Sequence, residues 1–98
     1  MTGEICEHFH IAASHPALAG HFPGNPVVPG MILLERVAAA ARRAFGAQAT
    51  GLPQVKFLRP LYPDEIAELR IQRSGASAKF SIHRGSELVA TGMLELAP

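Results

Sequence analysis

Hydrophobic and polar positions along the chain change their period twice. From Glu4 to Ala12, Ile5, Glu7, Phe9 and Ile11 share one face of an extended segment, and Cys6, His8 and His10 share the other. That alternation predicts a strand with one largely apolar face. His8-Phe9-His10 places two imidazoles close together, but further ligands of the usual kind are missing, so a surface strand face is the reading and no metal site is expected. Ser14 to Gly20 is a connection, with His15 an ordinary loop residue. Beyond Gly30 the period becomes helical. Leu34, Val37, Ala38, Ala41, Ala44 and Phe45 recur at three- and four-residue spacing, with Arg36 and Arg43 opposite and Glu35 at the edge of the apolar face. The predicted helix runs from Met31 to Phe45, roughly 22 Å at 1.5 Å per residue, and Gly46 is its natural stop. Consecutive alanines, Ala38 to Ala40 among them, leave room for a curved sheet or a partner helix.

The remainder returns to a period of two. Val55 and Phe57 alternate with Gln54 and Lys56, and Pro60 and Pro63 punctuate a turn. Ala67, Leu69 and Ile71 predict a further strand, as do Ala78, Phe80 and Ile82, and Glu87 to Leu96 supplies the last. Ser74-Gly75 and Arg84-Gly85-Ser86 mark hairpin connections. Strand, helix, then four strands on short turns predict an antiparallel sheet with one long helix against it, a single α+β domain over residues 1–98.

Composition narrows what such a domain does. At 98 residues it buries only roughly 60–65% of its unfolded surface, so an oligomer is the expected way to finish the core. The net charge of +1, with no block of like charges, argues against nucleic acid or an anionic membrane as a principal partner. No apolar run reaches transmembrane length, and Met1-Thr2-Gly3-Glu4 lacks the basic start of a signal peptide. With Cys6 as its lone cysteine, the chain has neither an internal disulfide nor a cysteine zinc motif, and the cytoplasm is the expected compartment.

The candidate chemistry sits between the first strand and the helix. His21-Phe22-Pro23-Gly24-Asn25-Pro26-Val27-Val28-Pro29-Gly30 packs three prolines and two glycines into ten residues. Such a backbone is rigid and specifically shaped. Ending at a helix start, it can hold backbone N–H groups where they attract negative charge. A titratable histidine opens the loop, and Glu35 follows one turn into the helix, a combination that suits proton transfer.

The stretch from Gly20 to Gly30, followed by an apolar run and Glu35, resembles the active-site signature of the 3-hydroxyacyl-acyl-carrier-protein dehydratases, hotdog-fold enzymes of fatty-acid synthesis. Lys56-Phe57-Leu58-Arg59-Pro60-Leu61-Tyr62-Pro63-Asp64 is similar to that family's second recurrent stretch. The resemblance implies a hotdog fold, a sheet wrapped around one central helix, and a dehydratase that works without a cofactor. It implies His21 as the base and Glu35, fourteen residues on, as the catalytic acid. Gly30 and Met31 are the candidate oxyanion donors, and Phe22, Val28, Leu33 and Phe57 the candidate substrate contacts. Phe22, Phe57 and Phe80 are also candidates for the core, and Arg36, Arg42, Arg43, Lys56 and Arg59 are solvated charges of which some suit an acidic carrier. The implied partners are an acyl-carrier-protein thioester and a second copy of the chain, each active site being shared between protomers.

The chemistry fits these residue types. Removing water from a 3-hydroxyacyl thioester needs a base for the C2 proton, a proton donor for the departing hydroxyl, and donors for the charge that builds on the thioester oxygen. A carboxyl in an apolar wall keeps its proton available. Pre-oriented N–H donors are worth about 3–4 kcal/mol of barrier each. Two departures point to a specialised relative, such as one serving polyene pigment or other secondary acyl pathways. Ala39 stands where the family usually carries a glutamine that orients the acid, and the chain is shorter at its N-terminal side than the housekeeping enzymes. Two competing readings are a hotdog acyl thioesterase, and a non-catalytic acyl-carrier-binding subunit of a heterodimer, which Ala39 favours.

Overall fold

The computed structural model describes residues 2–18 and 27–97. His21, Phe22 and the rest of the loop through Pro26, on which the base and one substrate contact were expected, lie outside the described residues. Five strands and one long helix follow in the predicted order: β1 (Thr2–Phe9), α1 (Gly30–Phe45), β2 (Ala49–Phe57), β3 (Ala67–Ser74), β4 (Ser77–Arg84) and β5 (Glu87–Leu96), with a 3₁₀ turn at Pro16–Leu18. The strands form one antiparallel sheet in the order β1-β3-β4-β5-β2, so β1 and β2 are its edges.

Register explains the core. Ile5, Ile71, Phe80, Gly92 and Val55 stand opposite one another from strand to strand and form one row on the inner face. A Cβ on Gly92 would stand 2.7 Å from the Phe80 ring and 2.5 Å from the Gln54 carbonyl oxygen, so the ring lies across the strand where only glycine leaves room. Ala67, Leu69, Ile71, Ala78, Phe80 and Ile82 are all buried, as their alternation predicts. Turns at Gly75 and Gly85 close the β3–β4 and β4–β5 hairpins where expected.

The first strand ends at Phe9 rather than Ala12, because the chain leaves the β3 ladder after the Phe9–Ala67 pair. Its alternation is as read: Phe9 is buried, and Cys6, His8 and His10 are exposed. β2 begins at Ala49, well before Gln54. Gly51 and Pro53 hide that stretch from a pattern reading, and register shifts on either side of Gly51 accommodate them at an edge strand, where a missing N–H is tolerated.

Helix α1 starts at Gly30 and ends at Gly46, which adopts a left-handed conformation (φ 64°) and donates its N–H to the Arg42 carbonyl at 3.0 Å. Its buried side is Ile32, Leu33, Val37, Ala40 and Ala41. The expected stripe is therefore turned: Leu34, Ala38 and Phe45 are half-buried, and Ala44 is exposed. Arg73, almost fully buried, donates to the Phe45 and Gly75 carbonyls and lies over the Phe45 ring, fixing the end of α1 to β3. No helix among the described residues is long and apolar enough to cross a membrane.

Candidate active site

The segment entering α1 is tied to the connection after β2. Val28 is buried and donates its N–H to the Leu61 carbonyl at 2.8 Å. Pro29 caps the helix in an extended conformation, with no side-chain hydrogen bond, and its carbonyl accepts the Ile32 N–H at 3.0 Å. The N–H groups of the first helical turn have no partner within the helix, which makes Gly30 and Met31 available as donors by position.

Between these two segments lies an open cleft of about 440 Å³, lined by Val27 to Gly30, Leu33 and Phe57 to Leu61. The lining is apolar except for Arg59, as suits an acyl chain leaving water. Gly30 and Phe57 are in intimate contact: a Cβ on Gly30 would stand 2.6 Å from the tip of the Phe57 ring. The structure thus gathers Val28, Gly30, Leu33 and Phe57 around one cleft, as the sequence suggests. Phe57 is corrected as a core residue, because it ends an edge strand and remains 49% exposed, whereas Phe80 is buried as expected. Met31 is 66% exposed and does not line the cleft with its side chain, so only its backbone N–H remains a candidate.

Glu35 is not in this cleft. It is exposed, beside a separate depression that also includes Ile11, His15, Ile32 and Ala39. At roughly 100° per residue it lies about 160° around the helix from Val37, which is fully buried. The expectation that it sits at the edge of the apolar face is corrected: with Ile32, Leu33 and Val37 turned inward, position 35 faces away from the sheet. Nearby cations already have partners. Arg43 pairs with Glu7 at 2.8 Å, and Arg36 lies over the Phe9 ring at 5.4 Å.

Sequence reasoning assigned no cleft role to Leu58, Pro60 or Leu61, which form one wall. The available signal was the recurrent stretch from Lys56 to Asp64, of which only Phe57 and the charges were singled out. Asp64 has a positive φ (66°) and donates its N–H to the Ile11 carbonyl at 2.8 Å, anchoring this connection to the end of β1. A second polar cluster lies on the outer face of β1 and β3. Glu68 accepts from Arg70 Nε at 2.6 Å and from Cys6 Sγ at 3.1 Å, which holds its carboxyl near 2. The same hydrogen bond to Glu68 raises the Cys6 thiol. Among the described residues no group of three potential metal ligands comes together.

Comparison with known proteins gives consistent results. The ApeI-like family, described as ApeI dehydratase, matches residues 2–93. A 3-hydroxyacyl-[acyl-carrier-protein] dehydratase FabZ from Chlamydia trachomatis is 31% identical over 109 aligned positions, covering 95% of this chain and 71% of that protein. Among solved structures, the dehydratase heterocomplex ApeI:P from Xenorhabdus doucetiae superposes with a TM-score of 0.87 at 23% identity, covering 97% of this chain and 88% of that one. The (R)-hydratase from A. caviae involved in PHA biosynthesis has a TM-score of 0.72 at 15% identity, covering 96% and 92%. The architecture is the hotdog fold: an antiparallel sheet around one helix.

Proposed function

The chain belongs to the ApeI-like dehydratase family, and from that premise we propose that it removes water from a (3R)-3-hydroxyacyl thioester on acyl carrier protein to give the trans-2-enoyl thioester. The observation that carries this reading is the extent of the match, which runs from residue 2 to residue 93 and takes in both walls of the cleft as well as Glu35. Residues 1–98 act as one hotdog unit. The reaction needs neither cofactor nor metal, and the lone Cys6 is in keeping with a cytoplasmic setting.

In the proposed cycle a ring nitrogen of His21 takes the C2 proton, and the electron pair moves onto the thioester oxygen. The N–H groups of Gly30 and Met31, at the positive end of α1, stabilise that charge. The pair then returns, the C3–O bond breaks, and the Glu35 carboxyl gives its proton to the leaving hydroxyl, which departs as water. The proton held by His21 passes to the Glu35 carboxylate and resets the site.

Glu35 would serve the active site of a partner subunit. Its exposure, and its separation from the cleft of its own chain, support this assignment. The open edge of β2, with Leu52 and Phe57 exposed and Met31 exposed at the start of α1, supports a dimer in which that edge is covered. A second copy of the chain is the simplest partner. A different hotdog chain is the alternative, favoured by Ala39 and by the Xenorhabdus neighbour, which is itself described as a heterocomplex.

One assay tests the reading. The purified protein is incubated with a 3-hydroxyacyl carrier protein, and the products are separated. Enoyl thioester supports dehydration, free acid indicates a thioesterase, and neither product indicates a binding subunit.

A further inference from the structure

Arg84, at the end of β4, turns its side chain out of the sheet toward the connection after β2, where it is only 22% exposed. Its Nη1 donates to the Pro60 carbonyl at 2.8 Å and to Glu65 Oε1 at 3.0 Å, while Nη2 donates to Glu87 Oε1 at 3.0 Å. A guanidinium is a planar fork of five donors, so one side chain ties three points that a single ammonium does not span. The acceptors are tied in turn. Glu65 Oε1 also accepts the Tyr62 N–H at 2.8 Å, and Glu87 pairs with Arg59 at 3.4 Å.

Pro60 and Arg59 are both wall residues of the cleft. The next residue, Leu61, is 1% exposed, and its carbonyl holds the Val28 N–H two residues before Gly30. A continuous path of short contacts therefore runs from Arg84 through Pro60 and Leu61 to Val28 and the first turn of α1. Arg84 does not itself line the cleft. A hairpin staple needs only the bond to Glu87 across the turn; the bond to Pro60 reaches the cleft wall, and the bond to Glu65 holds the same connection a few residues on.

We infer that Arg84 is a positioning residue for the acyl cleft. By fixing Pro60 it sets the distance between the wall formed by Leu58 to Leu61 and the start of α1, and so determines which acyl groups fit and where the Gly30 N–H points. This rests on the dehydratase reading for its chemistry, but its geometry is independent of that reading.

The test compares Arg84→Ala and Arg84→Lys with the wild-type chain in its native assembly. The measurements are thermal melting, amide hydrogen exchange at Val28, and turnover across 3-hydroxyacyl carriers of graded chain length. Val28 exchange should quicken by about tenfold or more in Arg84→Ala. Turnover (kcat/KM) should fall by about 10- to 100-fold with a shifted chain-length optimum. Millimolar guanidinium should restore part of the Arg84→Ala loss, and Arg84→Lys should be intermediate. A variant with wild-type Val28 exchange overturns the inference. So does a loss that is equal at every chain length and unanswered by guanidinium, which would mark a staple alone. If Arg84→Ala fails to fold, Arg84→Lys carries the same readouts. If the wild-type chain makes no enoyl product, the dehydratase reading has failed, and Val28 exchange still decides the positioning role.

Discussion

Replacing Gly30 by alanine separates the needs of the fold from those of the cleft. The added Cβ would stand 2.6 Å from Phe57 Cζ and 3.0 Å from both Cε atoms. Carbon atoms prefer about 3.5–4.0 Å, so the overlap is about 1 Å and the ring must move. Held in place, a clash of that size costs about 1–3 kcal/mol. The ring is not held, however: it is half exposed at the end of an edge strand. Against the residual strain stands a small gain, because Gly30 is the first residue of the helix and has no positive φ, and alanine is preferred by up to about 0.5–1 kcal/mol, the value for a helix interior. The two terms nearly cancel. The net change should lie within about 1 kcal/mol, or about 4–8 °C in Tm for a domain of this size.

The cleft has no such compensation. The displaced ring would enter the cleft or drag the first turn of α1; alanine keeps the backbone N–H, so the loss comes from misplacing that donor, within the limit of about 10²–10³ in kcat for removing one outright. Gly30→Ala should therefore melt near wild type while kcat/KM falls at least about tenfold. Adding Phe57→Ala should restore much of the activity, because it removes the group that clashes. Calorimetry and the enoyl-thioester assay check both halves. A Gly30→Ala protein that melts normally and turns over at the wild-type rate for every chain length would refute the placement of the cleft.

Glu68, held near 2 by the Arg70 and Cys6 hydrogen bonds, stabilises the fold only while ionised. Its contribution is present above about 4.5, is lost as pH falls toward about 2, and should be missing from the acid-melting curve of Glu68→Gln. In that variant Cys6 should also react faster with iodoacetamide at neutral pH, since the carboxylate that raises the thiol is gone. His21→Ala should abolish exchange of the substrate C2 hydrogen with deuterated solvent, while Glu35→Gln should lose elimination but keep some exchange; each loss in rate should be about 10²–10⁴-fold. A Glu35→Gln protein that dehydrates at the wild-type rate would remove Glu35 from the mechanism.

What could be read from the sequence follows from contrast in the side chains. β3 and β4 were legible because these central strands bury alternate residues, so Leu69, Ile71, Phe80 and Ile82 stand out against Arg70, Gln72, Lys79 and Ser81. The start of β2 was not, since an edge strand with a glycine, a proline and register shifts has no clean period. The helix was found to within one residue, but its orientation was misjudged. Ile32, Leu33 and Leu34 are apolar in succession and Ala38 to Ala41 are alike, so the pattern fixes a helix without fixing which side meets the sheet. That error moved Glu35 from nearly opposite the buried face to its edge. The cleft was partly legible: the residues before the helix and Phe57 were named, but the wall from Leu58 to Leu61 depends on contacts between segments more than thirty residues apart, which no local pattern encodes.

The exposure of Glu35 gives the last prediction. A carboxyl donates a proton to a leaving hydroxyl only where water is excluded and its protonated form is favoured. In the single chain Glu35 is exposed to solvent and faces away from the cleft beside Gly30. Water is not excluded from it without a second subunit. The same chain leaves β2 as an open edge with apolar side chains exposed, a surface that folded proteins normally cover. Covering that edge and burying Glu35 would then be one event, and activity should track assembly. Specific activity should fall on dilution along the same curve as the dimer fraction measured by light scattering or analytical ultracentrifugation. A charge reversal that breaks the β2 edge, such as Lys56→Glu, should shift both curves together to higher concentration while the monomer stays folded. Full specific activity from a monomeric preparation would show that one chain completes its own site. Glu35 would then have no part in it, and a proton donor would have to be sought among the residues around the cleft.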